Sequence, residues 1–372
     1  MIIMNVIQRN LFRLLRAGAF DSMSDDIEPM SEWKWKVLYN LSLMNGVTAL
    51  VYDGIKKYHD DFHLTLTDAQ IEIWNKATTD IENHNIDIDN QTEELFAILN
   101  HEQTRPILLR GQSLTEFYNI PLHRITGNID IYFPYEPQFK KANHWAKSVS
   151  TNSASNNNYF SYNWHGINIK HHTQAQKLTN IFLNNRLQNI IDKEIRCCDS
   201  TYIHVGETKI ETIPPTLNIL LAIVRVSSYI LNEGISLKQL VDLGILLQRA
   251  SNNIDIDKLL KWVDNLHMRR MMQFECGTLM NFFNFTENDF QFITPITDKA
   301  IDKIKDDIFS FSSVHNANWY FTQGKNIFVR ASNTSAMTWQ IKHLARFLFL
   351  YPSESITSFA SSFAHSLSHI EE

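Results

Sequence analysis

The chain has 372 residues, with 34 Lys and Arg against 40 Asp and Glu, a formal charge of -6 when its 15 His are neutral. At roughly 100 to 200 residues per domain this length predicts two or three domains, and 44% hydrophobic with 20% charged residues is a globular balance that excludes disorder, collagen and coiled coil. The mildly acidic total lacks the positive field with which non-specific nucleic-acid binders gather phosphates, and no obvious basic run replaces it, so a nucleic-acid partner is not expected.

The three cysteines, Cys197, Cys198 and Cys276, are too few and too badly spaced for a disulfide framework or a zinc site, which points to a reducing compartment with the cytoplasm as default. The strongest apolar runs, Ile219 to Val224 and Phe347 to Tyr351, are shorter than the roughly 18 residues a bilayer demands, so no membrane segment is expected.

Residues 1 to 100 read as helices only. Arg9, Arg13 and Arg16 without acids in the first 20 residues have the look of a transit peptide, but Ile3, Ile7, Leu11, Leu14 and Leu15 repeat at helical spacing and predict a first helix lying on the body. Trp33, Val37, Leu38, Leu41 and Met44 form a second stripe, and 68 to 100 a third and long one, with an N-cap region at Thr67 and Asp68.

From about 105 to 213 short apolar runs alternate with polar punctuation. Ile107 to Leu109 reads as a strand, Gly111 to Ser113 as a turn, Leu114 to Tyr118 as the start of a helix, and Ile129 to Phe133 as the clearest strand. Pro137 to Val149 reads as helix, and 150 to 158 as an exposed, mobile polar loop. Two strand pairs follow, 159 to 164 with 167 to 171, and 202 to 205 with 209 to 213. After Pro214 and Pro215 helices return over 216 to 232, 236 to 249, 256 to 265 and within 267 to 286, and 295 to 372 is helical but weakly patterned. The aromatic-rich end, from Trp319 to Phe321 and Phe347 to Phe349, reads as core rather than as a docking patch.

The chemistry-bearing segment is Leu108 to Leu114 followed by His123 to Tyr132. A Gly/Ser turn between strand and helix aims backbone amides and a hydroxyl at an anion. Asn128 and Asp130 lie two apart on a strand, so both project from one face while Ile129 and Ile131 point into the core.

With these residues the chain resembles the nucleotidyltransferase superfamily that includes DNA polymerase β, and more closely a bacterial uncharacterised nucleotidyltransferase family. That family reads approximately K-G-x-x-L, R-x-x-G-D-I-D-L-Y, a strand I-E-x-H, then a helical half beginning Pro-Pro and containing G-I-x-L-R-Q-x-x-D. Here Arg110-Gly111 stands for Lys-Gly; Leu114, Arg124, Gly127, Ile129, Asp130 and Tyr132 match, as do Pro214-Pro215 and Gly234 to Asp242. The resemblance covers roughly residues 90 to 265. It implies an α+β protein with a small mixed-sheet nucleotidyltransferase core over 101–213, flanked by a helical N-terminal region, 1–100, and a helical C-terminal region, 214–372.

The chemistry it implies is attack of a hydroxyl on an α-phosphate, with two Mg²⁺ ions held by three carboxylates. The positions carry over as Asn128 for the first carboxylate, Asp130 for the second and Lys170 for the third, so three negative charges become a sum of zero. Asp130 alone is a poor Mg²⁺ ligand set, and Lys170 is expected to pair with it in the place of a metal ion. Arg110, Gly111, Ser113, Arg124 and His172 are the candidates for receiving a nucleotide or phosphate without a metal. The competing reading has Arg110 and Arg124 paired with acids such as Glu116, and Ser113 capping a helix.

Lower-ranked sites are His171 and His172 with Asp130 as a transition-metal site, disfavoured because adjacent strand residues face opposite ways, and a redox pair of Cys197 and Cys198. Cys276 reads as core, and Lys238 and Asp242 as an ion pair one helical turn apart. Three functions stay open: a catalytically degenerate binder of a nucleotide (NTP) or protein partner, an active Mg²⁺-dependent transferase of nucleoside monophosphate to a hydroxyl, and a helical interaction scaffold.

Overall fold

The computed structural model describes residues 4–290, except 24, 151, 156–158, 250–252 and 287–288, together with 301, 304, 305, 308, 309 and 346–368. Four helices come first: α1 Val6–Phe20, α2 Glu32–Met44, α3 Thr48–Lys57 and α4 Asp68–His101. Two of them start on reciprocal caps. The Asn5 side chain accepts from the Gln8 amide at 3.0 Å while Gln8 accepts from the Asn5 amide, and Thr67 with Gln70 repeats the device at the start of α4. The expected N-cap is therefore Thr67, with Asp68 the first helical residue.

Helices α1 and α3 cross at two glycines. A Cβ on Gly18 would sit 1.8 Å from Leu50 O, and one on Gly54 would sit 1.9 Å from Leu14 O, so the backbones approach as only glycine permits.

A seven-stranded mixed sheet follows, built of β1 Ile107–Leu108, β2 Asn128–Tyr132, β3 Ser153–Ser155, β4 Tyr159–Trp164, β5 Ile167–His172, β6 Thr201–Val205 and β7 Thr208–Thr212, in the order β3-β4-β5-β2-β1-β7-β6. The pairs β2–β5 and β1–β7 are parallel and the other pairs antiparallel. His165 and Gly166, both at positive φ, make the two-residue turn between β4 and β5, a turn whose twist suits a hairpin.

Alternation along the strands divides the sheet between two cores. Leu108, Ile129, Ile131 and Ile169 face Ile88, Leu95, Phe96 and Leu99 of α4 and Ala142 and Ala146 of α5 (Glu136–Val149). Ile107, Leu109 and Tyr132 face the second core with Leu187 and Ile191 of α6 (Ile181–Cys197) and the apolar α7 (Pro215–Ser228). The remaining described helices are α8 Leu237–Arg249, α9 Ile256–Asn265, α10 Arg269–Phe283 and α11 Pro352–Ser368. The architecture is α+β, a mixed sheet flanked by helices.

The structure departs from the sequence reading at several elements. Residues Gln112–Phe117 form a 3₁₀ rather than an α start, entered through Gly111 at φ +86°. Ser153–Ser155, read as loop, pair with β4 as an edge strand; 151 and 156–158 lie outside the described residues. Helix α6 was not expected. Its Leu183, Leu187, Ile190, Ile191 and Ile195 do repeat at helical spacing behind an Asn180 cap. The 18-residue stretch Pro215–Asn232 is, among the described residues, the one helix long and apolar enough to cross a membrane, although its unbroken apolar run is short; 72% of it is buried inside the protein, as a core helix requires. Of the aromatic end, 319–321 lie outside the described residues, Phe347 is buried and Phe349 is exposed.

Candidate functional site

Strands β5, β2 and β1 lie side by side at the centre of the sheet, so the turn after β1 and the polar face of β2 meet the polar face of β5. Asp130 and Lys170 are register partners on parallel strands, as are Asn128 with Asn168 and Tyr132 with His172. Gly111 is needed for its dihedral rather than for space: a Cβ there would meet Asn128 O at an ordinary 3.5 Å, but φ is +86°. This backbone directs Arg110 across β2.

Asp130 is 3% exposed and both of its oxygens are taken. Oδ1 accepts from His172 Nε2 at 2.6 Å and Arg110 Nη2 at 3.2 Å; Oδ2 accepts from Asn128 Nδ2 at 2.6 Å and Arg110 Nε at 3.1 Å. Burial alone would raise its pKa, but the Arg110 and His172 side chains outweigh it and hold the carboxyl well below the usual range. Burial keeps His172 below its ordinary value despite Asp130, with Arg110 and Lys170 adding to the effect, so it is a neutral imidazole donating from Nε2.

Lys170 does not pair with Asp130. Its ammonium lies 5.6 Å from the Tyr159 ring centre, and Arg110 occupies the carboxylate instead, because a planar guanidinium bonds both oxygens at once where an ammonium is a point charge. His171 points to the other face, between Tyr162 Oη and Asn143 Oδ1, where burial lowers its pKa to about 3.

A Mg²⁺ site does not fit this donor set. One carboxylate, already accepting from four protein donors, offers neither the charge nor the free lone pairs that a hard cation needs. Among the described residues no group of three or more His, Cys, Asp or Glu is arranged to hold a metal ion.

A second buried carboxylate lies close by. Asp242 on α8 accepts from Arg124 Nε and Nη2 at 2.7 and 2.8 Å and from Tyr118 Oη at 2.6 Å. Burial opposes its ionisation, but Arg124, Lys238 and Tyr118 prevail and lower its pKa. Arg124, not Lys238, is thus the ion-pair partner of Asp242, and Glu116 pairs with neither Arg110 nor Arg124. The loop carrying Arg124 is clamped from α4 by Asn85 Nδ2, which donates to Leu122 O at 2.6 Å and Arg124 O at 2.9 Å.

Arg225 of α7 lies close enough to both networks for Arg110, Tyr229, Asp242 and Asp130 all to act on its charge. Burial first, then Arg110, pulls its pKa down, and its Nε is buried with no hydrogen-bond partner among the described residues. Tyr229, one turn further, begins a π-helical turn, Tyr229–Glu233, a widened geometry frequent at functional sites. Lys238 is held by its stem against Gly46, whose Cβ would meet Lys238 Cδ at 3.3 Å.

The structure therefore brings Arg110, Asn128, Asp130 and His172 into direct contact, places Lys170 beside them on the Tyr159 ring, and puts Arg124 in the neighbouring network. Ser113 is buried within the 3₁₀ turn. Sequence reasoning missed Arg225. A lone arginine inside an otherwise apolar helical run was the available signal.

A family model described as uncharacterised nucleotidyltransferase matches residues 31–284. No curated protein and no solved structure matches the chain. The matched segment takes in α2 to α10, the whole sheet and both carboxylate networks, well beyond residues 90 to 265. The chain belongs to the uncharacterised nucleotidyltransferase family.

Proposed function

We propose that this protein is a catalytically degenerate nucleotidyltransferase that binds a nucleotide, or another phosphate-bearing ligand, without two-metal chemistry. The observation that carries this reading is the saturation of Asp130 by Arg110, His172 and Asn128. For Asp130 to ligate Mg²⁺ this buried carboxylate would have to release the half-buried Arg110 guanidinium, and breaking a buried ion pair costs about 3–5 kcal/mol. The other two catalytic positions, Asn128 and Lys170, supply no negative charge to offset that loss. Arg110, Arg124, Arg225 and Lys238 outnumber the two carboxylates around which they gather, which favours an anionic ligand over a metal.

Calorimetry with ATP and GTP, in EDTA and in excess Mg²⁺, tests the reading. Binding unchanged by the metal is expected. Binding that requires Mg²⁺ would instead support an active transferase, and binding under neither condition would support a helical interaction scaffold. The triple variant Arg110→Gln, Asn128→Asp, Lys170→Glu restores three acids and removes the competing guanidinium; it is expected to acquire Mg²⁺ binding that the unaltered protein lacks.

A further inference from the structure

The charges around the two buried carboxylates do not balance. Arg110 and Arg124 are spent on Asp130 and Asp242, each through two hydrogen bonds. Arg225 and Lys238 remain, and among the described residues neither has a carboxylate within ion-pair distance. Arg124 itself, only 4% exposed, keeps a buried Nη1 without an acceptor, and Arg225 a buried Nε. Half-buried cations without a counter-charge and buried donors without an acceptor are both unfavourable, so a fold that retains them together points to an anion that completes the set.

We propose that Arg225, Lys238 and the free edge of Arg124 form a phosphate-receiving subsite beside Asp130, whose ligand is a doubly charged phosphate group, inorganic or borne by a nucleotide. This rests on the reading of the pocket as metal-free, since no bound cation then competes for the phosphate oxygens. The two cations left without a carboxylate, Arg225 and Lys238, match a dianion in charge, and two guanidinium edges with an ammonium match the several acceptor oxygens of a tetrahedral phosphate better than they match a halide. The three cations are carried by three different segments of the chain. Asn85 and Asp242 fix Arg124; α7 carries Arg225; Asn45 caps α8 by accepting the Leu237 amide at 3.0 Å and places Lys238 through its backbone amide at 3.2 Å. Donors fixed before the ligand arrives lose little freedom on binding.

The groups facing Lys238 are Arg124, Asp242 and Arg225; burial, then Arg124, lowers its pKa to about 8. An arriving phosphate reverses that balance and raises it, so binding at pH 8.5 takes up a proton.

The test is calorimetry on the full chain at constant ionic strength, at pH 8.5 in two buffers of different ionisation enthalpy, with inorganic phosphate and with ATP in EDTA. Chloride serves as the control, and Arg225→Gln and Lys238→Gln are the variants. Phosphate binding with proton uptake is expected, weakened at least ten-fold in each variant, and with the uptake abolished in Lys238→Gln. Near-UV circular dichroism checks that both variants are folded, and Arg225→Lys should regain part of the affinity. ATP that binds more tightly than phosphate and is lost in the same variants assigns the subsite to a nucleotide; phosphate binding alone assigns it to the free ion. Undiminished binding in both folded variants overturns the subsite while leaving the metal-free pocket standing. No binding of either ligand to the unaltered protein overturns both.

Discussion

Asp130 and Asp242 are two buried carboxylates held by arginines, and they differ in what surrounds the pair. Around Asp130 every oxygen has its donors and Arg110 has its acceptor, so the group is closed. Around Asp242 the carboxylate is equally satisfied, but Arg124 Nη1 is not, and Lys238 and Arg225 add charge with no acid to meet it. On the function proposed above, the position where family chemistry would place metals serves as internal structure. The unmet bonding capacity has moved one network away, onto the helices.

The sharpest way to break this contrast is to remove each carboxylate in turn. Asp242→Asn leaves Arg124, Lys238 and Arg225 facing one another and should cost about 5 kcal/mol, the upper end for breaking a buried pair. Asp130→Asn leaves an amide that still accepts from His172 and Arg110, and should cost about 3 kcal/mol. Urea denaturation ranks them, and 10 mM phosphate should narrow the gap by stabilising the first variant more. Equal losses, or the reverse order, would remove the distinction between a closed and an open network.

Removing an unmatched cation should act in the opposite direction. Arg225→Met deletes a half-buried guanidinium with a buried, unmet Nε and keeps a long apolar stem in place, so it is expected to stabilise the free protein by about 1 kcal/mol. The same change at Arg110 should be destabilising by about 3 kcal/mol, since it strands Asp130. A destabilising Arg225→Met would mean that the arginine has a structural partner in the fold, and the comparison would fall.

Much of this fold could be read from the residues, and the reasons for what could not are specific. Alternation placed Asn128 and Asp130 on one face of β2, and His171 and His172 on opposite faces of β5, correctly, because that period is built into the backbone. Strand order is not. Lys170 was assigned to Asp130 from its position in β5, whereas Arg110 comes from the other neighbour, β1, and wins by geometry. Lys238 looked like the partner of Asp242 because one helical turn separates them. Arg124, 118 residues away in sequence, takes that carboxylate through a loop clamped by α4. The α+β class and the family motif survive such errors, since they depend on local pattern; the identity of each ion pair does not.

The smallest expected effect is a slope in stability with pH, and two groups give it opposite signs. His123 donates to Asp53 at 2.6 Å and Glu82 at 2.8 Å; burial works against its charged form, but the two carboxylates raise its pKa above the ordinary value near 6.5. Its contribution is fully present below that value and is lost as pH rises through the folded pKa. Lys238 is the reverse case. With a pKa lowered to about 8 against 10.5 in the open chain, the unfolded state binds more protons between those values, so stability rises with pH across that window. Melting temperature should therefore fall as His123 deprotonates and recover in part above pH 8. His123→Gln should remove the first limb and Lys238→Met the second. If Lys238→Met leaves the alkaline limb unchanged, its ammonium already has a partner and the network around Asp242 is as closed as the one around Asp130.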